Sequence, residues 1–192
     1  KRNDPCGWVT LNGFLIKGAH CRIRSNIRYG MITELEHKSV SDLLALHAEV
    51  SARLRSSGAV RSSNNPAGDY AETLFCRAFG WDMAASSEKG YDALDRDGLR
   101  YQIKSRRLTA SNTSRQLSAL RNLEAKPFDF LAGVLFSSDY SVFKAAIIPH
   151  DLVLKNTRVS THTNSRLFYL RDAVWAWQNV RDVTLTLTRV KI

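Results

Sequence analysis

The chain of 192 residues is 44% hydrophobic, 24% charged and 9% aromatic, the composition of a globular fold of one domain or one domain with an appendage. No run of about 18 apolar residues occurs, which excludes a transmembrane helix, and the apolar patch Gly13 to Ile16 is too short for a signal-peptide core. Lys and Arg number 28 against 18 Asp and Glu, and the resulting net charge of +10 favours an anionic partner such as nucleic acid or anionic lipid.

Residues 1–30 carry six basic residues and one Asp, half of the excess charge, and show little helical period. They read as a leader or N-terminal extension, set apart from a domain spanning 31–192. A weak strand or hairpin over Val9 to Ile16, packed on the body, is the competing view. Met31 opens a stretch that resembles a native start. The three cysteines, Cys6, Cys21 and Cys76, form no C-x-x-C pair and cannot all be bridged with one another. That usage suits a reducing compartment, so the expected location is cytoplasmic, with no membrane partner.

From Ser39 the pattern becomes regular. Ser39 and Asp42 form an S-x-x-D capping signature, and Val40, Leu43, Leu44, His47, Val50 and Leu54 follow at helical spacing before Gly58. This predicts an amphipathic helix covering a core, with His47 packed on its apolar stripe. Asn65-Pro66 supplies a cap and a proline at the first turn of a second helix. Ala71, Leu74, Phe75 and Ala78 are its buried stripe, and it ends near Gly80. Glu72 falls about 100° around from Ala71, at the edge of that stripe.

Tyr91 to Asp95 and Leu99 to Lys104 read as short strands flanking the loop Arg96-Asp97-Gly98, with Gly where a left-handed residue is needed. Leu117 to Glu124 is a predicted helix. Phe130 to Phe136 is a continuous apolar run, expected as a strand buried on both faces, and Val142 to Ile148 is another strand. Leu170 to Val180 reads as helical. Trp175 and Trp177 within it cannot share a helix face, which places one in the core and one at the surface, an arrangement suited to a homodimer contact, with core packing alone as the simpler account. Val183, Leu185 and Leu187 alternate with threonines as in a strand. The whole is an α/β layer with a mixed sheet.

The hairpin carries the chemistry. If Asp95 faces Leu99, then Asp92 stands opposite Gln102, about 5 Å apart at Cβ. Alternation puts Arg100, Gln102 and Lys104 on one face, with Tyr101 and Ile103 on the other. Asp92 supplies a carboxylate and Gln102 an amide oxygen, the donors that a hard cation takes. Lys104 is placed to orient an attacking water and to offset charge at a scissile phosphate. Glu72 offers a second carboxylate. The bland alternative is an ordinary Asp–Lys cross-strand pair on a solvated sheet face.

Glu72, Asp92 and Gln102-Ile103-Lys104 together resemble the PD-(D/E)XK restriction-endonuclease-like superfamily, in its variant with Gln before the x-Lys. The likeness spans about residues 39–149 and leaves out the first 30 residues and those from His150 onward. It implies a restriction-endonuclease-like core: a mixed central β-sheet flanked by helices. It also implies Glu72, Asp92 and Gln102 as metal-site residues for Mg²⁺ or Mn²⁺, and Lys104 as the catalytic lysine. Residue 91 is Tyr rather than Pro, and Gln102 stands for a carboxylate, which lowers the negative charge of the site.

The expected activity is metal-dependent hydrolysis of phosphodiesters in DNA, of restriction or repair type. The alternatives are a catalytically inactive DNA-binding protein on the same fold and a structural protein dimerised through its C-terminal segment. Arg61, before the Glu72 helix, and Arg106, Arg107 and Arg115, in the Ser- and Arg-rich stretch after Lys104, are the expected DNA contacts. A solvated loop is the equal alternative for that stretch. His150 and His162 lie near no recognisable partner, and no phosphate-binding Gly-rich loop or Ser/His/Asp spacing occurs.

Overall fold

In the computed structural model, residues 8–11, 14–17, 34–85, 88, 90–160 and 165–192 are described. The backbone divides into two units, Lys1–Arg53 and Leu54–Ile192. In the first, β1 (Trp8–Leu11) pairs antiparallel with β2 (Phe14–Lys17), the hairpin anticipated within Val9 to Ile16. Cys6, Cys21 and Met31 lie outside the described residues, as does His162.

Helix α1 (Val40–Ser56) starts where its capping signature places it. The Asp42 N–H donates to Ser39 Oγ at 3.1 Å and the Ser39 N–H donates to Asp42 at 3.2 Å, a reciprocal cap. The helix does not bury its stripe: no residue of it is buried, Val40 and Leu44 are 75% and 66% exposed, and His47 is exposed rather than packed. Capping and helical propensity are local terms, and they set the start of this helix without a core beneath it.

The second unit is a mixed α/β fold around a six-stranded sheet. Its strands are β3 (Asp82–Met83), β4 (Ala93–Leu94), β5 (Arg100–Arg107), β6 (Phe130–Phe136), β7 (Val142–Pro149) and β10 (Arg181–Asp182), in the order β10-β7-β6-β5-β4-β3. The β5–β6 pair is parallel and the other pairs are antiparallel. A small separate ribbon joins β8 (Arg158–Ser160) to β9 (Ser165–Leu167).

One face of the sheet is covered by α2 (Ala67–Phe79). Asn65 Oδ1 accepts the Ala67 N–H at 3.1 Å, Pro66 already has helical φ and ψ, and Gly80 closes the helix at φ 66°. Ala71, Leu74 and Phe75 of α2 pack with Tyr101, Ile103, Ala132, Val134 and Ile147. The other face of the sheet, Leu131, Leu135, Ala146 and Ile148, lies under Leu117, Leu120, Leu123, Phe168, Leu170 and Val174. That covering layer is largely irregular. It also receives Val153 from α3 (His150–Asn156). His150 is buried, with Nε2 2.8 Å from the Leu123 carbonyl.

Three expectations about the C-terminal half are corrected. Leu117 to Glu124 is not a helix: the Leu117 and Leu120 N–H groups donate to the Phe168 and Arg166 carbonyls, and only Leu123–Ala125 forms a 3-10 turn. Apolar spacing of three residues is thus satisfied by burial against a distant segment. Leu170 to Val180 holds only the 3-10 turn Asp172–Ala176, and Trp175 and Trp177 are both half-buried. Val183 to Leu187 is not a strand but leads into helix α4 (Thr184–Thr188). Val183 and Leu187, four apart, are buried together, while Leu185 is 70% exposed. Asp182 accepts the Thr184 N–H at 2.9 Å at the start of that helix, a cap that overrides the strand preference of Val and Thr.

Candidate active site

The β4–β5 hairpin forms because its loop chemistry is local. Asp95 Oδ1 accepts the N–H groups of Asp97 and Leu99, each at 3.0 Å, and Gly98 adopts φ 76°. The Asp95 N–H meets the Leu99 carbonyl and Ala93 pairs with Tyr101, where the ladder ends: the Asp92 N–H also donates to the Tyr101 carbonyl, at 2.8 Å, so Asp92 is not paired with Gln102 along the backbone and reaches it through its carboxylate. Below the hairpin, the Tyr101 ring stacks on Trp81 with centroids 3.7 Å apart, and its hydroxyl donates to Asp95 Oδ2 at 2.9 Å. Burial, with the Asp95 bond, pushes the Tyr101 phenol up to about 12. Arg100 grips Asp129 through its main-chain N–H, Nε and Nη2, tying the start of β5 to the start of β6.

Asp92 is the centre of the constellation. Its Oδ2 accepts the Ile103 main-chain N–H at 2.7 Å and a hydrogen bond from Gln102 Nε2, and Lys104 Nζ lies 3.6 Å away. The Asp92 and Lys104 side chains are 23% and 20% exposed, so the pair is partly shielded from solvent. Tyr101 and Ile103 are buried on the opposite face, against α2, as alternation requires.

Glu72 approaches from the α2 layer. No hydrogen bond or ion pair joins it to Asp92, Gln102 or Lys104; its partner is Arg61, whose Nη1 also donates to the Ala84 carbonyl at 3.4 Å. The Ala84 N–H in turn donates to the Asp92 carbonyl at 2.9 Å, so Arg61 links the Glu72 helix to the Asp92 strand. Burial, and then the negative charge of Asp92, hold the Glu72 carboxyl above the usual carboxylate range, against the opposing pull of Arg61. Burial, and then Glu72, push the Cys76 thiol up to about 11, so this free cysteine is a packed thiol and not a nucleophile.

The expected DNA-contacting arginines divide. Arg61 is committed to Glu72. Arg107 donates to the Ser138 carbonyl at 2.9 Å and lies over the Tyr140 ring, and Arg115 pairs with Asp172 at 2.9 Å. Arg106 shares the strand face of Gln102 and Lys104, and its Nε is buried with no hydrogen-bond partner. Sequence reasoning missed the Ile103 N–H as the donor that fixes Asp92, because a main-chain group leaves no trace in residue identity.

Among the described residues no three of His, Cys, Asp and Glu stand together as a metal cluster. The donor types for a cation are two carboxylates and an amide oxygen, although Glu72 is paired with Arg61 and the Gln102 amide nitrogen faces Asp92. That donor chemistry fits a hard dication. No helix of the described residues is long and apolar enough to cross a membrane. No model of a protein family and no curated protein matches the chain.

Proposed function

We propose that the Leu54–Ile192 unit is a metal-dependent endonuclease of the PD-(D/E)XK type, acting on DNA in the cytoplasm. The observation that carries this reading is the meeting of Gln102, the Ile103 N–H and Lys104 on one oxygen of Asp92. Asp92, Gln102 and Glu72 would hold Mg²⁺ or Mn²⁺. When bound, that ion supplies Lewis acidity toward a phosphodiester.

The chain's own groups do the remaining work. The Ile103 N–H keeps the Asp92 carboxylate in one orientation. Lys104, held beside that carboxylate, presents a cation that orients a water and offsets charge growing on the phosphate. Arg106, further along the same face, offers a second contact to the backbone of the nucleic acid.

A second reading, a DNA-binding protein without cleavage, is favoured by one feature. The Gln102 amide is spent as a donor to Asp92, and Glu72 is already paired with Arg61. Incubation of the full chain with supercoiled plasmid in Mg²⁺ and in Mn²⁺ separates the two. Nicking that disappears in Lys104→Ala supports the enzyme. Salt-dependent binding without nicking in either metal selects the binder, and absence of binding rejects both.

A further inference from the structure

A cleft of about 490 Å³ lies between the C-terminal end of α3 and the Asp172–Ala176 turn, within the size range of small-ligand sites. Its polar and aromatic lining is Asn156, Thr157, Arg158, Tyr169, Arg171 and Trp177, and no acid among the described residues lines it. Two acids beside the lining segments are already committed. Asp172 accepts from Lys144 at 2.7 Å and pairs with Arg115, while Glu124 accepts from Arg166 at 2.7 Å. Arg158 has no ion pair among the described residues, and the Arg171 guanidinium lies over the Tyr169 ring, 5.0 Å from its centroid, without a carboxylate.

Both aromatic rings are held in place. The Tyr169 hydroxyl donates to Gln116 Oε1 at 2.8 Å, and Trp177 packs edge-on against Phe168 with centroids 6.2 Å apart. Two unpaired guanidinium groups suit phosphate oxygens, and two fixed rings that remain half-exposed suit the flat face of a base.

We propose that this cleft binds a nucleotide unit, base and phosphate together, with a single-stranded nucleic acid as the source. The inference goes beyond the hydrolytic reading, because it stands on residues that the Asp92 site does not use.

The test is fluorescence anisotropy of a labelled oligothymidylate with the full chain, in EDTA, over a range of salt. Arg158 is exposed and unpaired, so Arg158→Gln should keep the fold, checked by circular dichroism. Its affinity should fall about tenfold, and the slope of log K against log salt should flatten by about 0.7. Adding Arg171→Gln should roughly double the loss of slope. Thymidine monophosphate should displace the oligomer, and displacement at equal concentrations of nucleotide units would make the free nucleotide the source. Unchanged affinity and slope in Arg158→Gln overturn the proposal, as does displacement by inorganic phosphate or polyglutamate as effective as that by the nucleotide. Because EDTA suppresses cleavage, an inert Asp92 site leaves this measurement intact.

Discussion

Asp92 Oδ2 and the main-chain N–H of Ile103 are 2.7 Å apart, so the acid of one hairpin strand is bound to the strand that carries Lys104. This bond makes Asp92 both a structural and a chemical residue, and two substitutions separate the roles. Asp92→Ala strands a half-buried N–H and should cost about 1–3 kcal/mol in urea unfolding. Asp92→Asn keeps an oxygen acceptor and should cost less. Both variants should lose plasmid nicking, and an Asn variant that still cuts would remove Asp92 from the reaction.

Lys104 contributes differently. Its pairing with Asp92 is long and partly solvated, worth about 0–1 kcal/mol. Lys104→Ala should therefore unfold near the wild-type urea midpoint while the cleavage rate falls by about a hundredfold or more. A large loss of stability together with unchanged cleavage would assign the lysine to the scaffold.

The raised Glu72 carboxyl makes a signed prediction about pH. Burial first, and the Asp92 charge second, let the folded chain keep this proton to higher pH than the unfolded chain does. From the ordinary glutamate value of about 4.3 up to the raised one, the folded state binds more protons, so this group's contribution to stability is lost as pH rises. Glu72→Gln cannot titrate. The stability of the variant minus that of wild type should climb as pH rises above the ordinary glutamate value, measured by urea midpoints. Saturating Mg²⁺ should reduce the climb, because a cation beside the carboxylates favours their charged forms. A flat or falling difference without metal would show that Arg61 compensates Glu72 fully.

Gly133 stands opposite Lys104 in the parallel β5–β6 register. A Cβ there would come within 3.1 Å of Leu170 Cδ2 and 3.3 Å of Leu117 Cδ1. Gly133→Ala should therefore overpack the layer above the sheet and cost about 1–3 kcal/mol in thermal or urea unfolding. A neutral result would mean that the irregular layer over β6 shifts freely.

The parts of this protein that could be read along the chain are those whose causes lie within a few residues. The Ser39–Asp42 cap, the Asn65-Pro66 start and the Asp95 to Leu99 loop each close hydrogen bonds over short separations, and from the last of these the pairing of Ala93 with Tyr101 follows by counting. The unbroken apolar run Phe130–Phe136 likewise announces a strand buried on both faces, since only the centre of a layered fold accepts it.

What the residue order left open was decided by partners far away in the chain. Leu117 and Leu120 have helical spacing, yet their N–H groups are taken by Phe168 and Arg166, so the segment is buried without being helical. The leucines of α1 have the same spacing and find no core at all. Arg61 reads as a DNA contact until the fold sets it against Glu72. Turns and caps are short-range bonds that form wherever their few residues occur. Burial and charge pairing depend on which groups are nearest in space, and chain folding alone sets those distances.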